Sequence, residues 1–217
     1  MSLLLYSYWR SSAAYRVRIG LNLKGVDYRQ EAINLAPAVS AQRAPTFRQI
    51  NPQGRVPALA TPDGLITQSG AILEWLEEVY PAPSFLPAGR VERARVRMIA
   101  QTIAADIHPL NNVSVLGYLS HAFGADNAAT IAWYHHWLRE GFDAIEALLR
   151  DWAVEGFVVE DRPTLAEIYI VPQLANARRF RFDLSPYPGL CAVGAAAEGL
   201  PAFVAAAPEA QADAVAS

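Results

Sequence analysis

The spacing of apolar residues changes along this chain, from short strand-like runs in the first 83 residues to helical repeats afterwards. Leu3 to Tyr8 is a mostly apolar run of the length typical of a buried strand. Helical composition follows from Ser12 to Lys24, and Gly25 stands where a glycine commonly ends a helix. Asp27 to Ile33 is typical of a second strand. The chain is therefore predicted to open with a β-α-β unit.

A β-hairpin and a helix are predicted next. Pro57–Thr61 and Leu65–Thr67 flank Pro62-Asp63-Gly64, and an Asp-Gly pair tolerates the positive φ of a tight turn. Ser69 is predicted to be the N-cap of the following helix, since a serine hydroxyl can accept a hydrogen bond from a helix-start N–H. The predicted apolar face of that helix comprises Ile72, Leu73, Leu76 and Val79.

The remainder of the chain is predicted to be helical. A helical pattern from Val91 to Phe123 is interrupted at His108-Pro109, because a proline removes a backbone hydrogen bond. Thr164-Leu165-Ala166-Glu167 has the pattern of a capping box, in which the hydroxyl and the carboxylate each satisfy a helix-start amide. Other helices are predicted over 128–150 and after Pro188 and Pro201, with a frayed tail from Pro208.

These elements predict an α/β domain followed by an all-α domain. The first domain covers residues 1–83, with β-α-β followed by β-β-α. Residues 84–90 are predicted to be a linker, and residues 91–217 an all-helical domain.

Composition narrows the class of protein. The chain has 217 residues and a formal net charge of −3, which argues against nucleic-acid binding because no basic tract offsets that charge. Its one cysteine, Cys191, excludes a disulfide framework within the chain and disfavours a zinc cluster. The longest uncharged run, Ile107 to Ala125, contains Pro109 and polar side chains that do not suit a bilayer. We expect a soluble cytoplasmic protein that holds no metal and has neither a nucleic-acid nor a membrane partner.

The most informative chemistry lies at the start of the first predicted helix. A helix N-terminus has unsatisfied backbone N–H groups and a partial positive charge. Ser11 and Ser12 add two hydroxyls there. The pattern predicts a site for an anion or a thiolate.

Other segments suggest further contacts with a ligand. Val56-Pro57 is open to two interpretations: a strand-edge proline, or a cis proline that frees the Val56 backbone to bind an extended peptide. Helix-start amides beside Gln68 and Ser69 can hold a carboxylate. Arg178-Arg179-Phe180-Arg181 is interpreted as a local anion site.

Several motifs resemble those of zeta-class glutathione transferases, the family of maleylacetoacetate isomerase and maleylpyruvate isomerase. The signature Ser-Ser-Cys-x-x-Arg-Val-Arg-Ile is similar to Ser11–Ile19 here, with Ala13 where the family has cysteine. The similarity covers almost the whole chain, in order. It implies a thioredoxin-like N-terminal domain, a helical C-terminal domain, glutathione as cofactor and a homodimer. The other matching segments are Asn51–Leu59, Gln68–Ser69, Ile107–Leu116, Asp161–Gln173 and Asn176–Pro188.

The resemblance implies a glutathione site. Ser11 would hydrogen-bond the thiolate, and Ser12 with the backbone at Ala13 would complete the pocket. Val56 would pair its backbone with the cysteinyl part of glutathione, before a cis Pro57. The γ-glutamyl carboxylate would be held by Gln68 and Ser69. The other positions assigned to this site are Arg16, Gln42, His108, Asn112 and Ser114.

The resemblance also implies a substrate site. Arg179, with Arg178 beside it, matches the arginine that binds the substrate carboxylate in the family, and a solvated helix end remains the alternative. His108 is shared with maleylpyruvate isomerase-like relatives, and a helix-kink residue is the alternative. Arg10 and Arg16 would add to a positive rim. The expected catalytic residues are Ser11, Ser12 and Arg179.

The predicted activity is glutathione-dependent cis–trans isomerisation of a maleyl-type dicarboxylate by reversible thiolate addition. Maleylacetoacetate, converted to fumarylacetoacetate, is the first candidate substrate and maleylpyruvate is the second. One alternative is a glutathione transferase or dehalogenase that acts on α-halo acids or other electrophiles. A second alternative is a glutathione-binding protein without catalysis, in which Ala13 marks lost chemistry.

Overall fold

A mixed four-stranded sheet is the centre of the first compact unit in the computed structural model, which describes residues 3–152 and 154–215. The strand order is β2-β1-β3-β4. β1 runs parallel to β2, whereas β3 is antiparallel to both β1 and β4. This arrangement confirms the predicted β-α-β unit and hairpin. The strands are β1 (Leu3–Ser7), β2 (Tyr28–Ala32), β3 (Ala58–Thr61) and β4 (Gly64–Thr67).

Helices make up most of the remaining structure. Short 3₁₀ turns cover Ala41–Arg43 and Pro208–Ala210, and a π-helix covers Thr102–Ile107. The α-helices of the described residues are α1 (Ser12–Leu23), α2 (Pro45–Ile50), α3 (Ser69–Val79), α4 (Arg90–Gln101), α5 (Val113–Phe123), α6 (Asn127–Asp151), α7 (Leu165–Arg179), α8 (Pro188–Glu198) and α9 (Pro201–Ala206).

The chain divides into two compact units. The first comprises residues 1–84 and 199–217, and the second comprises residues 85–198. The predicted domains, 1–83 and 91–217, group the last helix differently, because α9 packs against α1. No helix within residues 3–152 and 154–215 combines the length and apolar character needed to span a membrane.

Helix α1 is the core helix of the first unit. Its residues from Ser12 to Leu21 are all buried, including two arginines. It contacts both α3 and α9. Gly25 follows with φ of 63°, so the left-handed glycine predicted at this helix end is confirmed.

The segment after Pro208 is packed as far as Asp213, so the predicted frayed tail is wrong over those residues. The Gln211 side chain donates to the carbonyl oxygens of Ala205 and Ala207, at 3.0 and 2.8 Å. The Ala205 carbonyl lies in the last turn of α9, where carbonyls lack helical partners, and the Ala207 carbonyl also accepts from the Ala210 N–H. Residues 216 and 217 of the predicted tail lie outside the described residues.

In the second unit, the long helical pattern after Val91 is broken as predicted. The π-helix leads to His108, whose N–H donates to the Ile103 carbonyl at 2.9 Å. Asn112 then caps α5 by accepting from the Ser114 N–H at 3.0 Å. The wider π turn is a feature that the apolar spacing did not predict.

The predicted capping box at the start of α7 is confirmed. Glu167 is fully buried, and its carboxylate accepts from the Thr164 N–H and hydroxyl, each at 2.7 Å. It also accepts from the Val158 N–H at 2.7 Å. The same carboxylate therefore starts the helix and anchors the preceding loop.

Candidate functional site

Three chain segments of the first unit reach one edge of the sheet. Because β1 and β3 are antiparallel and Tyr6 pairs with Ala58, the end of β1 lies beside the start of β3. Thr67 also pairs with Ala58, so the end of β4 reaches the same edge. The segments that continue from these strands carry Ser11, Val56 and Ser69. The topology therefore gathers three separate sequence motifs.

Ser11 is the N-cap of α1. Its N–H donates to the Tyr8 carbonyl at 2.9 Å, and its Oγ accepts from the Ala14 N–H at 3.2 Å. A hydroxyl that accepts in this way keeps its own hydrogen for donation. Ser12 and Ala13 are the first two residues of the helix, and both side chains are buried. A thiolate beside Ser11 would meet an O–H donor and the positive end of a helix.

Arg16 lies in the interior, so the expectation that it adds to a positive rim is wrong. It is 2% exposed, and its Nη1 donates to Ser69 Oγ at 3.4 Å. The buried guanidinium adds positive charge next to the start of α3. An anion such as a carboxylate is favoured there.

Ser69 is the first residue of α3 and not its N-cap, which corrects the expectation from the sequence. The N-cap is Gln68, whose φ of 70° and ψ of 123° turn the chain sharply out of β4. The exposed Gln68 side chain donates to Gln53 Oε1 at 2.8 Å. The Ser69 hydroxyl is consequently directed to Arg16 instead of capping the helix.

The loop before β3 presents the backbone of Val56. The Val56–Pro57 peptide bond is cis, which confirms the cis-proline interpretation over the trans strand-edge proline. The Val56 side chain belongs to a buried cluster with Ile33 and Phe47. Asn51 orders the loop by donating to the Arg55 carbonyl at 2.7 Å. Sequence reasoning had assigned no role to Asn51, although an Asn before proline is a common turn signal.

Gln42 lies close to the same loop. A Cβ on Gly54 would stand 2.8 Å from the Gln42 carbonyl oxygen, so the two segments approach each other at that glycine. The Gln42 side chain is buried, and no described residue donates to its Oε1. A buried acceptor of this kind is costly unless a ligand or water supplies the donor. This observation fits a ligand with amide or amino donors.

The second unit holds the other predicted positions. Asn112 Oδ1 accepts from both the N–H and the hydroxyl of Ser114, at 3.0 and 2.8 Å. His108 follows the π-helix and is half-buried. His108 and Asn112 lie between the π-helix and α5, which agrees with the predicted kink, and Ser114 lies in the first turn of α5.

One turn of α6 ties this loop to the end of α7. Trp133 donates its indole N–H to the Leu110 carbonyl at 2.9 Å, and Asn111 donates to the Tyr134 carbonyl at 3.0 Å. The Tyr134 ring stacks on Phe180 with centroids 3.9 Å apart. The aromatic run at 133–137 was visible in the sequence, but only the structure reveals that it links these two segments.

Arg179 is held by this same aromatic support. Its guanidinium lies 4.7 Å from the centroid of the Phe180 ring. Burial raises the pKa of Tyr134, and the positive charge of Arg179 acts in the opposite direction. The neighbouring Arg178 forms an ion pair with Glu198 through its guanidinium. In the first unit, Arg10 stacks over the Trp9 ring at 4.1 Å.

Known proteins resemble this chain over its whole length. The family model described as "Glutathione S-transferase, N-terminal domain" matches residues 1–78. A maleylpyruvate isomerase from Ralstonia sp is 50% identical, over 96% of this chain and 98% of that protein.

Solved structures give the same result. The holo structure of a bacterial zeta-class maleylpyruvate isomerase has 49% identity and a TM-score of 0.94, over 98% of this chain and 100% of that one. A maleylacetoacetate isomerase from Methylobacterium extorquens AM1, with bound malonate and GSH, has 34% identity and a TM-score of 0.94. That match covers 98% of this chain and 100% of the other. These similarities, together with the thioredoxin-like sheet and its helical remainder, establish that the chain belongs to the zeta-class glutathione S-transferase family.

Proposed function

We propose that this protein is a glutathione-dependent cis–trans isomerase of a maleyl-type dicarboxylate. The observation that carries the proposal is the hydrogen bonding of Ser11, whose Oγ accepts from the Ala14 N–H and so keeps an O–H for a thiolate. When bound, glutathione would supply that thiolate for reversible addition to the cis double bond. The remaining steps of binding and orientation fall to this chain's own residues.

The residues of the first unit fit glutathione. The O–H of Ser11 and the N-terminus of α1, with Ser12 and Ala13 in its first turn, favour a thiolate over a thiol. The Val56 backbone can pair with the cysteinyl peptide group beside Pro57. Ser69 and Gln68 at the start of α3 can hold the γ-glutamyl carboxylate, with buried Arg16 supplying positive charge.

Gln42 supports the same ligand. Its buried Oε1 needs a donor, and a tripeptide with an amino group and two amides offers several. The malonate and GSH found in the Methylobacterium extorquens relative are consistent with a site for a thiol tripeptide and a dicarboxylate. Of the second unit, we assign His108, Asn112 and Ser114 to glutathione as well.

Arg179 is proposed to bind and orient a substrate carboxylate. An arginine can grip a carboxylate through two parallel N–H donors. The charge of Arg178 is offset by Glu198, so Arg178 is proposed for a secondary role. His108 and Arg10 are proposed to contact the substrate too. The catalytic set is thus Ser11, Ser12 and Arg179.

Both candidate substrates share the maleyl group. We propose maleylacetoacetate and maleylpyruvate as the pair to compare, since relatives named for each are similar to this chain over its whole length. We further propose a cytoplasmic homodimer that takes part in the breakdown of aromatic compounds. Sedimentation equilibrium of the full chain tests the dimer.

The decisive experiment follows isomerisation of each substrate by ultraviolet absorbance, with and without glutathione, while free thiol is counted. We expect glutathione-dependent turnover at constant thiol, and a large loss of kcat in Ser11→Ala. Ser185→Ala is the matched control, since that exposed hydroxyl bonds only Asp183 among the contacts described. Loss of thiol in proportion to turnover would instead identify a transferase or dehalogenase. Absence of turnover with every substrate would favour the non-catalytic alternative.

A further inference from the structure

We propose that Arg18 and Asp213 are positioning residues for Ser11, and that the segment after α9 is therefore part of the thiolate site's support. The inference rests on the proposed role of Ser11. Neither residue is suggested to touch glutathione or substrate. Both act on the turn formed by residues 8–11, which we call the Ser11 turn.

The backbone of the Ser11 turn is held from two sides. Ser11 N–H closes the turn by donating to the Tyr8 carbonyl at 2.9 Å. Trp9 N–H donates to Asp213 Oδ2 at 3.0 Å, and the Trp9 carbonyl accepts from Arg18 Nη2 at 3.2 Å. Arg18 Nη1 also lies 3.4 Å from the Tyr8 carbonyl. Both backbone groups of Trp9 and the carbonyl of Tyr8 are thereby fixed.

Arg18 joins the Ser11 turn to the end of α9. Its side chain is fully buried, and its Nε donates to the Ala206 carbonyl at 2.9 Å. Nη1 donates to Ser7 Oγ at 3.1 Å. The acceptors around the guanidinium are thus carbonyl and hydroxyl oxygens from both chain segments. A planar group with several fixed donors suits this bridging role better than lysine does.

The charges around Arg18 agree with this arrangement. Burial lowers the pKa of Arg18 to about 10, whereas Tyr28, Tyr15, Asp213 and Glu209 act in the opposite direction. The guanidinium is therefore charged at neutral pH. Arg18 bonds the backbone carbonyl of Trp9, and Asp213 bonds its backbone N–H.

The segment that carries Asp213 is itself anchored. Gln211 is buried and donates to the carbonyls of Ala205 and Ala207. Its Oε1 accepts from Gln30 Nε2 at 3.0 Å, which ties the segment to β2. The segment two residues before Asp213 is therefore anchored by contacts that do not involve the Ser11 turn.

A hydroxyl stabilises a thiolate only when it is held at hydrogen-bond distance and angle, to within about 0.5 Å. Ser11 is the last residue of the turn, so any motion of the Trp9 backbone displaces the Ser11 Oγ. Loosening the turn should raise the pKa of the bound glutathione thiol. A residue that only stabilised the fold would not change that pKa.

The test measures thiolate absorbance of the glutathione complex as a function of pH in the full chain. We expect Asp213→Ala to raise the bound thiol's pKa by about one unit, with kcat/KM lowered by up to about tenfold at pH values below the wild-type pKa. Asp213→Asn keeps an acceptor oxygen for Trp9 N–H and should restore much of the effect. Arg18→Lys is a second variant that weakens the other side of the turn. Glu209→Ala removes a nearby negative charge of the same segment and should leave the pKa unchanged.

The outcomes separate this inference from the proposed function. If Ser11→Ala raises the thiol's pKa but the Asp213 and Arg18 variants do not, the positioning inference is wrong and the role of Ser11 stands. If Ser11→Ala leaves the pKa unchanged, both are wrong. A lower melting temperature in Asp213→Ala with an unchanged pKa would identify a purely structural contact and would also overturn the inference.

Discussion

Arg16 Nη1 lies 3.4 Å from Ser69 Oγ, so a buried arginine of α1 donates to the first residue of α3. The contact places a guanidinium at the N-terminus of α3, and Arg16 follows the N-terminus of α1 by about one turn. Each of the three features favours an anion. The relationship gives Ser69 a role different from that of a helix cap, and this difference can be measured.

Replacement of Ser69 by alanine should weaken glutathione binding about tenfold. The change removes a hydroxyl that orients Arg16 and can bond the γ-glutamyl carboxylate, and one such hydrogen bond contributes about 1.4 kcal/mol. Calorimetric titration with glutathione gives the Kd. Ser185→Ala, on the surface of the second unit, should bind like wild type. An unchanged Kd in Ser69→Ala would contradict the assignment of Ser69 to the carboxylate.

His135 should matter for the dicarboxylate substrate and not for glutathione. Its Nε2 lies 2.9 Å from the Phe180 carbonyl, and only an N–H at that position can bond a carbonyl. His135→Phe keeps a ring against Phe182 but loses the bond that holds the residue after Arg179. We expect about a fivefold rise in the KM of the dicarboxylate, corresponding to about 1 kcal/mol.

The neighbouring His136 supplies the control for this experiment. It is exposed and adjacent in α6, so His136→Phe should leave both KM values close to wild type. Steady-state kinetics with each substrate varied in turn makes the comparison. Equal rises in the KM for glutathione and the KM for the dicarboxylate in His135→Phe would indicate a general loss of structure. That result would contradict a role of His135 in positioning Arg179.

Glu167→Ala should strongly destabilise the protein. The fully buried carboxylate accepts three hydrogen bonds, and its removal leaves the Val158 and Thr164 donors buried without it. We expect the free energy of unfolding to fall by about 3 kcal/mol. Chemical denaturation followed by circular dichroism measures the change. Glu140→Ala, on the exposed side of α6, should change it by less than about 0.5 kcal/mol.

Tyr187 should make the fold sensitive to high pH. Burial, followed by a hydrogen bond to Asp143 at 2.8 Å, raises the pKa of Tyr187 to about 12. The pKa of tyrosine in an unfolded chain is about 10. Between about pH 10 and about pH 12, the unfolded chain therefore binds fewer protons than the folded one. Stability is therefore fully present below that window and is lost as pH rises through it.

The measurement is the free energy of unfolding across that window in wild type and Tyr187→Phe. The variant lacks the phenol and should lose less stability as pH rises. Tyr118→Phe changes an exposed tyrosine of α5 and should follow the wild-type profile. If Tyr187→Phe and wild type lose stability in parallel, the ionisation of Tyr187 is not coupled to folding.

Local sequence patterns predicted the elements of this protein well. The strand runs, the Asp-Gly turn, Gly25 and the capping box at Thr164 all depend on residues within a few positions of one another. Their periodicity and capping chemistry are readable without knowledge of the fold. The order of the motifs along the chain also sufficed to identify the family, because the resemblance spans almost the whole chain.

Contacts between distant residues were not predictable in the same way. Arg16 reads as a surface charge until the fold buries it beside Ser69, and the segment after Pro208 reads as a frayed tail until Gln211 and Asp213 find partners. Ser69 is predicted to be the N-cap, but Gln68, with its positive φ, is the N-cap and Ser69 is the first helical residue. None of these outcomes follows from neighbouring residues alone.

By itself, the sequence determined the four strands and most of the helices, and which residue types stand near the start of each predicted helix. Tertiary structure decided which of those starts share an edge of the sheet, which charges are buried and what supports the Ser11 turn. The physical reason is that secondary structure depends on short-range backbone and side-chain preferences. A binding site depends instead on burial and hydrogen bonds between residues such as Trp9 and Asp213, which only the folded chain brings together.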